Sequence, residues 1–182
     1  MSRASGTDTI LRHWREAVPN DRLAHLVKDA TRALVRALQM RLAAHNVSFG
    51  HWTFLRILWE GDGLTQRELS VEAGVMEPTT FSALKAMERL GYIRRKRGDD
   101  RKKVFVFLTP KGRLLKRRLV PLAEEVNNIA VRGVRGSDIT ATRAVLLAAI
   151  ENLARDETDK RMPSTRALAR VGTKRKRAAR RA

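Results

Sequence analysis

The stretch LTQRELSVEAGVMEPTTFSALKAMERLGYIRRKRGDDRKKVFVFLTPKGRLL, Leu64–Leu115, changes its period part-way along, and that change decides how the chain folds. Its first half is helical. Thr65-Gln66-Arg67-Glu68 has the form of a capping box, in which the threonine oxygen takes the amide of Glu68 and the glutamate reaches back. The short helix it starts is expected to end near Ala73-Gly74, and Gly74-Val75-Met76-Glu77 to form a tight turn. Pro78 then falls in the first turn of a second helix, where a missing N–H costs nothing. That helix runs to Leu90 and stops at Gly91, which suits the left-handed position after a helix. In the second half, Tyr92–Arg97 and Lys102–Leu108 read as strands joined by Gly98-Asp99-Asp100-Arg101, a β-hairpin with a basic tip.

Outward from this segment the pattern is helical on both sides. Ile10, Leu11, Trp14, Ala17 and Val18 mark one face of a short helix closed by Pro19. Asn20 or Asp21 caps a long helix in which Leu23, Leu26, Val27, Ala30, Leu34, Leu38, Leu42 and His45 recur every three to four residues, to about Asn46. Ser48 to Glu60 forms another helix, with Phe49, Trp52, Leu55, Leu58 and Trp59, broken by Gly61-Asp62-Gly63. After the hairpin, Thr109-Pro110 starts a second long helix with Leu114, Leu115, Leu119, Leu122, Val126 and Ile129 on one face. Gly133 and Gly136 break it, and Ser137 or Asp138 caps a last helix carrying Leu146, Leu147, Ile150 and Leu153. The remaining 27 residues hold 10 basic and 3 acidic side chains and read as a solvated, disordered tail.

Charge narrows the partners. The 182 residues carry 38 Lys+Arg against 19 Asp+Glu, a formal net charge of +19, which calls for a polyanion, nucleic acid before an anionic membrane. A hydrophobic fraction of 43% is too high for a wholly disordered basic protein. The chain has no cysteine, which removes disulfides, thiolate catalysis, Cys-ligated zinc and thiol redox sensing together. His13, His25, His45 and His51 have no paired metal spacing, no glycine-rich phosphate loop is present, and no Ser/His/Asp arrangement stands out. The expectation is therefore a protein that is not an enzyme and uses no cofactor or metal. The N-terminus lacks a signal peptide's apolar stretch, so a cytoplasmic, nucleoid-associated location is expected, and the basic tail lacks the apolar face that membrane binding needs.

Helix, tight turn, helix and basic hairpin is the layout of a winged helix-turn-helix. With its Leu64-Thr65-x-x-Glu68-Leu69 opening, Leu90-Gly91-Tyr92-Ile93 exit, Asp99-Asp100-Arg101 wing tip and Leu108-Thr109-Pro110-Lys111-Gly112 after the wing, the segment resembles the MarR family of bacterial transcription regulators. The resemblance covers roughly residues 20–155. The expected fold is mainly α with a small β-hairpin wing: a winged helix-turn-helix over 48–109, helical dimerisation segments over 20–47 and 110–155, an N-terminal extension over 1–19, and the tail over 156–182.

Within the second helix of the motif, Thr80, Ala83, Leu84, Met87 and Leu90 are spaced to face the core. Pro78, Thr79, Phe81, Ser82, Lys85, Ala86 and Arg89 lie opposite. Such a helix presents its N-terminal part to base edges in the major groove, so Thr79 and Ser82 are candidates for bases or phosphates and Lys85 and Arg89 for phosphates. Phe81 is either a wedge against the preceding helix or an apolar contact to thymine methyls. From Arg89 to Arg118 there are 13 basic and 2 acidic residues, a charge the hairpin concentrates at Arg97, Asp100, Arg101, Lys102 and Lys103. Such a tip suits a narrow, electronegative minor groove. The family resemblance implies an Asp-x-Arg tip whose arginine enters that groove. Here lysine takes the arginine position, so either Lys102 substitutes or the tip shifts to insert Arg101, whose planar fork is the better reader.

Two long apolar-faced helices are more than a wing domain of this size can bury, and a two-fold homodimer reading a palindromic operator resolves the excess. The resemblance implies the same, and implies a small effector, often a phenolic or other aromatic acid, bound between dimerisation helices and winged domain. His51, Trp52 and Arg56, with His13, Trp14 and Arg15 from the N-terminal extension, are the candidate ligand residues: arginine for a carboxylate, histidines for ring substituents, tryptophan for stacking. These readings converge on a ligand-responsive repressor. The rival is a sequence-tolerant, nucleoid-type DNA-coating protein, for which Lys174-Arg175-Lys176-Arg177 and Arg180-Arg181 would serve as phosphate anchors.

Overall fold

The computed structural model describes Thr7, Ile10, Leu11, Trp14, residues 23–98 and residues 103–159. The chain divides into two compact units, residues 1–132 and 133–182. In the first, the elements run α1 (Leu23–Ala43), α2 (Phe49–Glu60), β1 (Leu64–Thr65), α3 (Gln66–Glu72), α4 (Glu77–Arg89), β2 (Ile93–Arg97), β3 (Val104–Leu108) and α5 (Pro110–Ala130). The described part of the second unit is α6 (Gly136–Asp159). The fold is mainly helical with a small antiparallel sheet, as the sequence pattern implies. No helix among the described residues is long and apolar enough to cross a membrane.

Three helices end the same way. At α1, α3 and α4 a left-handed residue, Asn46 (φ 57°), Gly74 (φ 63°) or Gly91 (φ 72°), turns the chain. The amide of the following residue then reaches back five positions: Val47 to the Leu42 carbonyl, Val75 to Ser70 and Tyr92 to Met87. This is the Schellman closure, and it leaves an apolar residue just past each helix to pack against it. Val47 and Tyr92 are buried there. The closure at Asn46 is why α1 stops at Ala43 rather than near residue 46. At their starts, Ser48 caps α2 by accepting from the His51 amide, and Thr65 and Glu68 cap α3 reciprocally.

The sheet has three strands in the order β1-β3-β2, with Ile93 opposite Leu108, Arg95 opposite Val106 and Leu64 opposite Val106 on the other side. The sequence pattern anticipated two of them. β1 is two residues long, too short for any period to register, and its partner lies some forty positions away. The register puts Ile93, Val106 and Leu108 into the core and leaves Arg94, Lys96, Phe105 and Phe107 on the opposite face.

One core joins the unit: Leu38 and Leu42 of α1, Trp52, Phe54, Leu55 and Leu58 of α2, Leu69 of α3, Leu84 and Met87 of α4, the strands, and Leu115, Leu119 and Val126 of α5. Each fully buried leucine contributes about 2 kcal/mol relative to exposure. Helix α5 continues through Pro121, which lacks an N–H for the Arg117 carbonyl, a feature the apolar spacing does not reveal. In the second unit α6 begins at Gly136, so Ser137 and Asp138 lie inside its first turn, where Asp138 pairs with Arg135. It continues through Asp159, four residues into the stretch read as tail.

Candidate nucleic-acid interface

The helix-turn-helix is locked from within. Thr65 Oγ1 accepts from the Glu68 amide at 3.2 Å, and the Thr65 amide donates to Glu68 Oε2 at 2.7 Å. The Thr65 amide, with the Thr65 hydroxyl that also donates to Glu68 Oε2 at 2.8 Å, holds the Glu68 carboxyl below its usual value. Ser70, buried, donates its hydroxyl to the Val75 carbonyl at 2.6 Å, tying α3 to the turn. Thr80, Leu84 and Met87 face the core as expected, and Ala83 and Leu90 are half-buried beside them.

The opposite face of α4 is open. Pro78, Thr79, Phe81, Ser82, Lys85 and Arg89 are exposed, and Ala86 is half-buried. Ser82 donates to the Pro78 carbonyl at 3.0 Å, which spends its proton and leaves its lone pairs outward. Phe81 is 49% exposed, so it does not wedge beneath the preceding helix. Its ring is covered instead by the Arg95 guanidinium, 5.6 Å from the centroid. On the hairpin, Arg97 and Lys103 are exposed. Asp100, Arg101 and Lys102 lie outside the described residues.

Two wing arginines have partners on the protein itself. Arg94 lies over the ring of its cross-strand partner Phe107, at 5.5 Å. Arg95 donates from its amide to Glu88 Oε1 at 3.0 Å and from Nε and Nη2 to Glu88 Oε2 at 2.9 and 2.7 Å. Those bonds hold the Glu88 carboxyl below the ordinary glutamate range. The sequence reading counted Arg95 only as part of the basic run. A carboxylate seven residues earlier, across the Gly91 break, is the signal that could have singled it out.

After the wing, Gly112 explains the Thr109-Pro110-Lys111-Gly112 run. A Cβ there would fall on the Tyr92 carbonyl oxygen, so only glycine lets α5 seat against the exit of α4. Thr109 caps α5 by accepting from the Gly112 amide and donates to the Gly91 carbonyl at 2.6 Å. Asp62 anchors the hairpin base, accepting from the Leu108 amide at 2.8 Å and from Arg113 at 2.6 Å.

The candidate ligand residues separate. A groove of about 230 Å³ between α1, α2 and α5 is lined by Leu34, Leu38, Phe49, Trp52, Arg56 and Val126, with Thr31 and Asn127 as polar neighbours. Trp52 is buried and meets Trp59 edge-on, with ring centroids 5.6 Å apart, while Arg56 is exposed. His51 is not part of the lining. Its Nδ1 is buried without a hydrogen-bond partner among the described residues, and burial pushes its pKa down. Trp14 donates its Nε1 to Asp29 on α1 at 3.1 Å and is likewise not among the lining residues. His13 and Arg15 lie outside the described residues.

A profile of the MarR family matches residues 47–104, the span from the end of α1 into β3. The chain is 34% identical over 149 residues to the HTH-type transcriptional regulator TtmR of Methylorubrum extorquens, covering 80% of this chain and 72% of that protein. The chain belongs to the MarR family. Among solved structures, a MarR family regulator from Listeria monocytogenes complexed with 26mer DNA superposes with a TM-score of 0.67 at 24% identity, covering 77% of this chain and 95% of that one. Bordetella bronchiseptica BpsR, whose DNA binding is regulated by 6-hydroxynicotinic acid, superposes with a TM-score of 0.65 at 20% identity, covering 70% of this chain and 97% of that one. As a MarR family member the protein is a DNA-binding transcription regulator, and the family is not one of enzymes.

Proposed function

We propose that the protein is a homodimeric, sequence-specific repressor that lays α4 in the major groove and its wing in the adjacent minor groove of a palindromic operator. The observation that carries this reading is a group of cations without a carboxylate partner beside the exposed face of α4. Arg41, Arg95, Arg113 and Lys116 are paired with carboxylates of the protein itself. Lys85, Arg89, Lys96 and Arg97, on α4 and β2, have no ion pair among the described residues. Unpaired cations on one helix-and-hairpin surface have phosphates as their natural partners, and exposed Thr79, Phe81 and Ser82 stand among them for base edges.

Dimerisation is supported by apolar faces that a single chain leaves open. In α1, Leu23, Leu26, Val27 and Leu34 are exposed; in α6, Leu147, Ile150 and Leu153 are, the last two at 64% and 66%. A second copy is the occupant that also matches a palindrome. For the effector, the groove has room for one substituted aromatic ring, Trp52 and Phe49 to contact it, and Arg56 at its rim for a carboxylate. That an aromatic acid regulates the structurally similar BpsR supports the same ligand class. This reading keeps Trp52 and Arg56, and draws no support for His51 or Trp14.

Fluorescence anisotropy against the best-bound duplex recovered from a randomised pool, and against a scrambled duplex, tests the proposal across a salt series. A preference of about 10³ or more at physiological salt supports a specific regulator. A ratio near one with a steep salt slope would instead establish the sequence-tolerant coating protein.

A further inference from the structure

We infer that Arg95 is a positioning residue, a strut that sets the angle between the reading helix and the wing instead of contacting DNA. Its one side chain makes three contacts on two helices. It grips Glu88 near the end of α4 through Nε and Nη2, reaches Gln66 Oε1 at the start of α3 at 3.4 Å, and covers the Phe81 ring in the first turns of α4. Its own backbone, on β2, is clamped to the same carboxylate. Arg95 is only 21% exposed at the side chain, while Arg94, Lys96 and Arg97 around it are exposed.

The placement explains what the strut does. Below Arg95 the sheet is held by Ile93, Val106 and Leu108 in the core; above it are the ladder's last pair, Arg97 and Val104, and then Lys103. Arg95 is therefore the outermost residue of β2 that hydrogen-bonds α4 among the described residues. The spacing of the two DNA grooves is fixed, so a hairpin free to swing would satisfy one groove at a time. The same guanidinium holds one face of Phe81 and leaves the other side of that ring for bases. A fork whose Nε and Nη2 both already donate to one carboxylate oxygen is also poorly placed to serve a phosphate.

The inference rests on the reading that α4 and the hairpin engage one duplex. Arg95→Lys, Arg95→Gln, Glu88→Gln and, as a control on that reading, Arg97→Gln are compared in the full chain on the selected and scrambled duplexes across salt. A strut predicts that Arg95→Lys and Glu88→Gln each lower the selected-to-scrambled ratio about tenfold with the salt slope unchanged, and that the Glu88→Gln, Arg95→Gln double variant is no worse than either alone. Hydroxyl-radical footprints, which read sugars lining the minor groove, should lose protection at the wing while dimethyl sulfate protection of guanine N7 in the major groove is kept, a pattern that general loss of stability does not produce. Recovery of full affinity with lysine, or selected-duplex binding by Glu88→Gln as tight as or tighter than the native protein's, overturns the inference, because removing an anion near DNA should otherwise help. Arg97→Gln should lower the salt slope by about 1. If it leaves binding untouched, the interface is misassigned and the strut falls with it; if it acts while the Arg95 and Glu88 variants do not, the strut alone is wrong.

Discussion

The Trp59 indole donates to the Gly112 carbonyl at 3.0 Å, joining α2 to the first turn of α5 at the point where that turn crosses the exit of α4. The contact is possible because Gly112 has no side chain to hold it off the Tyr92 carbonyl. Helices α2, α4 and α5 therefore share one close-packed junction at the exit of α4.

Gly112→Ala should be costly for so small a change. The added methyl meets backbone, which cannot swing aside, so a loss of about 1–3 kcal/mol is expected. Urea midpoints of the two proteins check it, and equal midpoints would show that α5 can shift freely.

Removing the cap of α3 should cost less. Thr65→Ala deletes the acceptor for the Glu68 amide and one of the two donors to the Glu68 carboxylate, for about 1 kcal/mol of stability. Thermal unfolding measures it, and Thr65→Ser should recover most of the loss because the hydroxyl is the working group.

Lys85→Gln and Arg97→Gln should each weaken binding to selected and scrambled duplexes alike and reduce the salt slope by about 1, the signature of a phosphate contact. Thr79→Ala should instead narrow the difference between the two duplexes. Anisotropy titrations at several salt concentrations separate these outcomes.

Acid should weaken the Arg95–Glu88 tie. The Glu88 carboxyl titrates lower in the folded chain than in the unfolded one, chiefly because Arg95 hydrogen-bonds it. Its stabilising contribution is therefore complete above the ordinary glutamate value of about 4.3 and lost as pH falls through the lower folded value. Glu88→Gln should flatten the acid limb of the stability curve below about pH 5 and lower stability near neutrality, as denaturant midpoints at several pH values would show.

An aromatic carboxylic acid that releases the duplex should need Arg56. Arg56→Met removes the charge-assisted bond expected at the groove rim and should raise the half-releasing concentration by about tenfold or more. A response unchanged by that variant would move the effector out of this groove.

Much of the frame was legible in local signals, because those signals act between residues a few positions apart. The capping box at Thr65, the left-handed stop at Gly91, the helix-to-strand change of period after it, and the buried stripe of Thr80, Leu84 and Met87 all depend on neighbours along the chain. The exposed face of α4 followed from the same stripe. Other features depended on pairings distant in sequence. β1 exists only because Leu64 and Thr65 meet Val106 and Phe105. The division of the basic run into arginines with a partner on the protein, 94 and 95, and cations without one depended on which carboxylate or ring the strand register brought alongside each one. His51 and Trp52 are adjacent in sequence, yet only the packing of three helices decided that one lines the groove and the other does not. Charge and period are properties of the chain, whereas the partner that spends a charge is chosen by packing.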